Sequence, residues 1–285
     1  MNYILLDFDG YVAKSYYASI SKEKEGNDGP LDILNNLTEG AIERAKLFFN
    51  SEDRDLIVCK IMSGHSFKKD IFPGYKNNRK ADEEFALFRD YVKENVKDVI
   101  VAENLEADDL ITFMNAYTGY EAIVFSDDKD LRKYNPICGR INPGEDILET
   151  FGDMSPEQLI QMITGDSIDN IKGIPRKGEV WARKYLDKNG YTLDNVIRAY
   201  KENNVDIDEC FKNLLEVMPI SPEFVGEDYS EWCEKAYLQF IMDGKWDYTT
   251  TMKIIEGFMR YINKKVKEVY NNDSKSEEAV QEGAS

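Results

Sequence analysis

The chain has 285 residues, with 36 lysines and arginines against 54 aspartates and glutamates, a formal charge of −18 at pH 7 and 42% hydrophobic residues. This length exceeds the needs of one small domain and suits an α/β domain with an appended helical part. No apolar run approaches the roughly 18 to 20 residues of a spanning helix, and no basic segment precedes the first apolar stretch, so a membrane protein is not expected.

In chain order, NYILLDF (2–8) reads as a short apolar strand ending in Asp7 and Asp9, and residues 31–50 then place apolar side chains at helical spacing. DLIVCKIMSG (55–64) is a second strand stopped by Gly64, and FKKDIFPGYKNNR (67–79) has no clean period. Residues 81–96 return to a helix, DVIVAE (98–103) is a third strand, and the helix ADDLITFMNAY (107–117) follows directly. EAIVFS (121–126) is a fourth strand that runs into DDKD, and Ser155-Pro156 with Glu157 behind it starts a further helix. Strands alternating with helices predict a mainly parallel sheet, whose ligands gather outside the carboxyl ends of the strands. After Gly173 only helices are expected, with Trp181, Tyr185 and Leu186 as an apolar core stripe, and the acidic tail 271–285 reads as disordered.

The acids concentrate at those strand ends and helix starts: Asp7 and Asp9; Glu106, Asp108 and Asp109; Asp128 and Asp130; Asp166 and Asp169. Each group alone has an ordinary explanation, as a helix first turn or a polar turn. Brought together by a parallel sheet they would repel strongly without a divalent cation among them. With one histidine, His65, a His-rich zinc site is excluded, and the oxygen donors suit Mg²⁺ or Mn²⁺. Cys59, Cys138, Cys210 and Cys233 form no CxxC pair and read as reduced thiols of a cytoplasmic protein.

The negative total hides two basic islands. Lys60, Lys68, Lys69, Lys76, Arg79 and Lys80 face one acid, Asp70; Lys172, Arg176, Lys177, Arg183, Lys184 and Lys188 form the other. Basic islands in an otherwise acidic chain would confine phosphate binding to two places and make it steeply salt-dependent.

The opening ILLDFDGYV resembles the haloacid-dehalogenase phosphatases, and Ser63 and GDSID (165–169) are similar to further motifs of that family. Against it, the residues before Gly165 have a helical pattern where that family has an apolar strand, Tyr11 stands where it prefers Thr, and the basic islands stay unexplained.

Taken in order, the motifs resemble the 5′-to-3′ exonuclease and flap-endonuclease family, most closely its bacteriophage members, over roughly residues 3 to 190. LLDFDGYVAKSYYA matches an opening in which a strand-end Asp is followed seven residues later by a basic residue, which selects Asp7 and Lys14. FPGYKNNRK looks like that family's arch entry, LEADDL and FSDDKDL like its acidic segments, and GDSIDNIKGIP like the opening of its helix–three-turn–helix. The resemblance implies a PIN-like nuclease core over 1–165 with an arch at about 64–95, and a helix–three-turn–helix with further helices over 166–270.

It implies two Mg²⁺ or Mn²⁺ ions held by Asp7, Glu106, Asp108, Asp109, Asp128, Asp130, Asp166 and Asp169, and a monovalent cation at the helix–three-turn–helix. Lys76 would act on the scissile phosphate, with Lys14 and Arg79 positioning the 5′ strand. Lys68, Lys69, Tyr75, Lys80, Lys172, Arg176 and Lys177 would bind DNA. The expected partner is DNA with 5′ ends, flaps or nicks, or an RNA–DNA hybrid, bound by a monomer, with a replication protein contacting the C-terminal part. The chain departs from the family in two places. No acid lies between Leu56 and Lys69, so Ser63 stands where the family commonly has an Asp, and Arg176-Lys177-Gly178 replaces the usual Gly-x-Gly. A DNA-junction binder without catalysis is the alternative these departures raise.

Overall fold

The computed structural model describes residues 2–22, 29–49, 56–80, 82–117, 122–128, 131 and 154–217, with 252, 253, 255–257, 259, 260, 263, 264 and 267. Asp130, the tail 271–285 and most of the expected C-terminal helical part lie outside the described residues. The chain divides into two compact units, one formed by Met1–Phe67, Lys80–Ile147 and Ile220–Ile254, the other by Lys68–Arg79, Leu148–Pro219 and Ile255–Ser285. Lys68–Arg79, the stretch read as an arch entry, falls in the second unit.

In the first unit, β1 (Asn2–Asp7), β2 (Leu56–Ser63), β3 (Val99–Ala102) and β4 (Ile123–Phe125) form a sheet of order β3-β2-β1-β4. Every pairing is parallel, with Leu5 opposite Cys59, Leu6 opposite Phe125 and Ser63 opposite Ala102. Parallel strands require long crossovers, supplied here by α1 (Phe8–Lys22) with α2 (Pro30–Phe49), by α4 (Glu83–Asn95) before β3, and by α5 (Ala107–Tyr117) before β4. Helices cover both faces, so Ile4, Leu5 and Leu6 are all fully buried without alternation.

Helix α1 was not anticipated, and its composition explains why. Its buried face consists of Phe8, Tyr11, Val12, Ser15, Tyr16 and Ser19, and two of these are polar. The Ser15 hydroxyl donates to the Val12 carbonyl at 2.9 Å and that of Ser19 to the Tyr16 carbonyl at 2.7 Å. Serines that satisfy themselves on the preceding turn can be buried, and they erase the apolar period. The short helix α3 (Phe67–Ile71) was likewise not expected.

The second unit is built on α6 (Pro156–Thr164), α7 (Glu179–Asn189), α8 (Leu193–Glu202) and α9 (Ile207–Val217), with a small antiparallel pair, β5 (Gly165–Asp166) and β6 (Ile171–Lys172), between α6 and α7. Ser155 starts α6 with a reciprocal capping box to Gln158. The core joins Met162 and Ile163 to Ala182, Leu186, Val196, Ile197 and Tyr200. Of the expected apolar stripe only Leu186 is fully buried; Trp181 and Tyr185 are half-buried and stack on each other with centroids 5.0 Å apart.

The turn after α6 depends on two glycines in contact. Gly165 adopts φ 75°, and a Cβ on Gly173 would lie 2.2 Å from the Thr164 carbonyl carbon and 2.4 Å from the Gly165 nitrogen. Both obstacles are backbone and cannot yield as a side chain would. Gly173→Ala is therefore expected to destabilise the second unit by about 2 kcal/mol or more, measured by denaturant unfolding, whereas Gly178→Ala, which meets nothing within 4 Å, should change stability by less than about 1 kcal/mol.

Candidate active site

Because all four strands run the same way, their carboxyl ends share one edge, and the acids follow those ends. Asp7 closes β1, Ser126 to Asp128 follow β4, and Glu106 with Asp108 and Asp109 opens α5 after β3. Oxygens of Glu106, Asp108 and Asp109 all lie within 4.8 Å of one another. Glu106 and Asp109 are buried. The turn is held by its own amides, since Glu106 N–H donates to Asp109 Oδ2 at 3.2 Å and Asp109 N–H to Asp108 Oδ1 at 2.9 Å.

Ser126, which the sequence reading did not single out, joins the other two acids. Its hydroxyl donates to Asp7 Oδ2 at 2.6 Å and accepts the Asp128 N–H at 3.0 Å. Burial pushes the Asp7 carboxyl up to about 6, the Asp9 and Asp128 charges add to the rise, and the bonds from Ser126 and Gly10 oppose it. This edge thus has the properties of a hard-cation site: donors that are all oxygen, close spacing, and a charge excess that burial makes costly. Lys14 pairs with Asp127 and lies 5.7 Å from the Tyr11 ring centroid.

Apart from Lys80 and Asp130, the remaining predicted residues belong to the second unit. Asp169 pairs with Arg79, and with Lys76 at 3.8 Å. Burial opposes its charge, but a hydrogen bond with Glu216 and the two cations outweigh that and hold its carboxyl below the ordinary value. Glu216 moves the other way: burial raises it, Lys68 opposes, and the bond to Asp169 adds to the rise. Lys76 is in the left-handed region at φ 57°, its N–H donating to the Asp169 carbonyl at 3.0 Å and its ammonium 4.7 Å from the Tyr75 ring centroid. Asp166 organises its own turn, accepting the N–H groups of Ile168 and Asp169 at 2.8 and 3.3 Å.

Two expected DNA contacts are not presented in this arrangement. Tyr75 is 1% exposed and cannot stack on a base, and Lys68 is 4% exposed with its ammonium 3.9 Å from Glu216. Lys69, Lys80, Lys172 and Arg176 are exposed. Lys177 is half-buried, its ammonium 4.5 Å from the Trp181 ring centroid, and Arg176, in place of a glycine, takes φ 62°. Sequence reasoning also missed Glu216 and Arg89, neither of which carries a local motif.

A four-stranded parallel sheet with an oxygen-donor cluster on its carboxyl edge defines an α/β domain with a candidate cation site. Residues 2–135 match the family model described as 5′-3′ exonuclease, N-terminal resolvase-like domain. The chain is 33% identical over 223 residues to DNA polymerase I of Rhizobium leguminosarum, covering 70% of this chain and 22% of that one. It is 29% identical over 191 residues to the flap endonuclease Xni of Aeromonas salmonicida, covering 60% and 69%. The chain thus spans about a fifth of the polymerase relatives it matches. The structure of T5 5′-exonuclease with divalent metal ions (zinc) bound shares the fold, with a TM-score of 0.54 at 18% identity over 90% of this chain and 99% of that one.

The raised Asp7 carboxyl gives a signed test. Folded Asp7 binds its proton more tightly than the unfolded chain does, so its contribution to stability falls as pH rises from about 4 to about 6 and is fully unfavourable above that. In EDTA, Asp7→Asn should be more stable than the parent by about 1 to 3 kcal/mol at pH 7.5, with the advantage shrinking by pH 5. Equal unfolding midpoints at both pH values would refute the charge-excess account.

Proposed function

We propose that the protein is a divalent-metal-dependent 5′-to-3′ exonuclease and 5′-flap endonuclease that hydrolyses phosphodiester bonds in DNA. One observation carries this reading: a domain that matches the 5′-3′ exonuclease family model presents Glu106, Asp108 and Asp109 oxygens within 4.8 Å of one another on the sheet edge that also bears Asp7 and Asp128. Two Mg²⁺ or Mn²⁺ ions, when bound, would lower the pKa of an attacking water and stabilise the leaving oxygen of an in-line displacement.

In this reading Asp7, Glu106, Asp108, Asp109 and Asp128 hold metal directly or through water, with Asp130, Asp166 and Asp169 as further ligands. Ser126 fixes Asp7 against the start of the Asp127-Asp128 turn. Lys76 offsets negative charge on the phosphate under attack, the kind of preorganised electrostatic help that dominates phosphoryl chemistry. Arg79 and Lys14 position the 5′ strand, and Asp169 and Asp127 orient these cations beforehand. Lys69, Lys80, Lys172, Arg176 and Lys177 take backbone phosphates, so the substrate is chosen by shape and ends rather than by base sequence. The substrates are 5′ ends, flaps and nicks, with the RNA of an RNA–DNA hybrid as a further one, engaged by a cytoplasmic monomer alongside a replication protein. A monovalent cation at the helix–three-turn–helix would complete the duplex grip. The phosphatase-like features do not assemble a rival site: Gly165 follows α6, and the Ser63 hydroxyl accepts the Ala107 N–H at 2.8 Å.

The test is a 5′-flap duplex labelled at its 3′ end. With Mg²⁺ it should be cut at or near the junction, EDTA and Asp128→Asn should each abolish cutting, and Lys76→Ala should lower kcat by about 10² or more. Tight binding without cutting would instead identify a junction binder, and release of phosphate from a small aryl phosphate would favour the phosphatase.

A further inference from the structure

We infer that Ser63, Asp9 and Arg89 form a positioning clamp that sets the acid-bearing start of α5. Ser63 ends β2, and all three of its polar groups are engaged. Its N–H donates to Asp9 Oδ2 at 2.7 Å, its carbonyl accepts from Arg89 Nη2 at 2.8 Å, and its hydroxyl accepts the Ala107 N–H at 2.8 Å. Arg89 Nε donates to Asp9 Oδ1 at 2.8 Å, which closes a ring in which one ion pair grips both sides of Ser63.

The Ala107 amide is the first of α5, one of the four that a helix leaves without an internal partner. Its acceptor here comes from the neighbouring strand, not from Glu106, the residue just before the helix. The clamp therefore fixes where the helix begins, and with it Glu106, Asp108 and Asp109. The next residue locks the same junction: the Gly64 N–H lies 3.0 Å from the Ala102 carbonyl oxygen and 3.2 Å from that of Leu105, and a Cβ there would come within 2.4 Å of the Ala102 oxygen. The strand end is thereby pressed against the segment leading to Glu106.

Charge fits the same assignment. Asp9 stands two residues from Asp7, and Arg89 pairs with it at 2.8 Å. Arg89 enters from the middle of α4, so the clamp ties four elements at one point: the end of β2 and the starts of α1 and α5 to α4. Ser63 is then a hydrogen-bonding position with a defined task, and Asp9 is a positioning residue.

This inference rests on the proposed metal site, and the experiment separates the two. Mn²⁺ is titrated into the full chain without DNA, following free Mn²⁺ by electron paramagnetic resonance, for the parent, Ser63→Ala, Ser63→Thr and Arg89→Met. The clamp predicts roughly fivefold or greater weakening for Ser63→Ala and Arg89→Met, from lost hydrogen bonds to the peptide and the carboxylate. Ser63→Thr keeps the hydroxyl and should stay within about twofold. The sign for Arg89→Met decides most sharply, because removing a cation beside acids should tighten Mn²⁺ binding by simple electrostatics, as should release of Asp9 to act as a ligand. Tighter binding by Arg89→Met overturns the clamp. So does Ser63→Ala with parent affinity, even if its melting temperature falls, since that would make the role purely structural. Absence of Mn²⁺ binding by the parent overturns the metal site and the clamp with it.

Discussion

Carboxylates on one edge of a parallel sheet repel one another, and much of the first unit is arranged to bear that repulsion. Parallel order is the cause, because it sends every strand's carboxyl end the same way, and burial of the flanking helices then withdraws water from the charges. Asp7 registers the result directly, its carboxyl pushed up to about 6 by burial, Asp9 and Asp128. A protein selected for stability alone would place asparagine there. Retaining the acid makes sense when a cation completes the charge balance.

Neutral groups do much of the positioning. Ser126 links Asp7 to the amide of Asp128, and Ser63 takes the first amide of α5. Each hydroxyl places an acidic segment without adding to the negative charge. An extra carboxylate at either position would orient its neighbour as well, but would raise the electrostatic cost that burial already imposes.

How much was legible in the sequence divides along physical lines. The four strands, the helices at 83–95, 107–117 and 156–164 and the parallel order follow from apolar runs and caps, which are local signals. Helix α1 was lost because self-satisfied serines occupy its buried face. The placement of Asp7, Glu106, Asp108, Asp109 and Asp128 at strand ends and a helix start was legible because residue type and local position together announce it, whereas Arg89 and Glu216 act through partners 80 and 47 residues away, and nothing near them in the chain shows it. Tyr75 was misread for a related reason. An aromatic beside a lysine reads as a stacking pair, and only tertiary packing shows that its ring is buried, with the lysine ammonium over it.

The second unit answers the opposite electrostatic problem. In the proposed function Lys76 and Arg79 meet phosphate, and without a partner such side chains would spread in water, losing rotamer freedom only when substrate arrives. Asp169 holds Lys76 and Arg79 in one place, and Glu216 supports it by a hydrogen bond while burial keeps Glu216 toward its neutral form. The left-handed backbone of Lys76 is a cost accepted for that placement, since a lysine rarely adopts φ 57° without an outside constraint, and the bond from its N–H to the Asp169 carbonyl supplies one. Strain and ion pairing at the same residue point to a side chain whose position matters more than its comfort. The same logic separates Lys76 from Lys68: both are lysines of one basic island, but burial against Glu216 makes Lys68 part of the scaffold, whereas Lys76 stays half-buried with its ammonium held by an acid that a competing anion can replace.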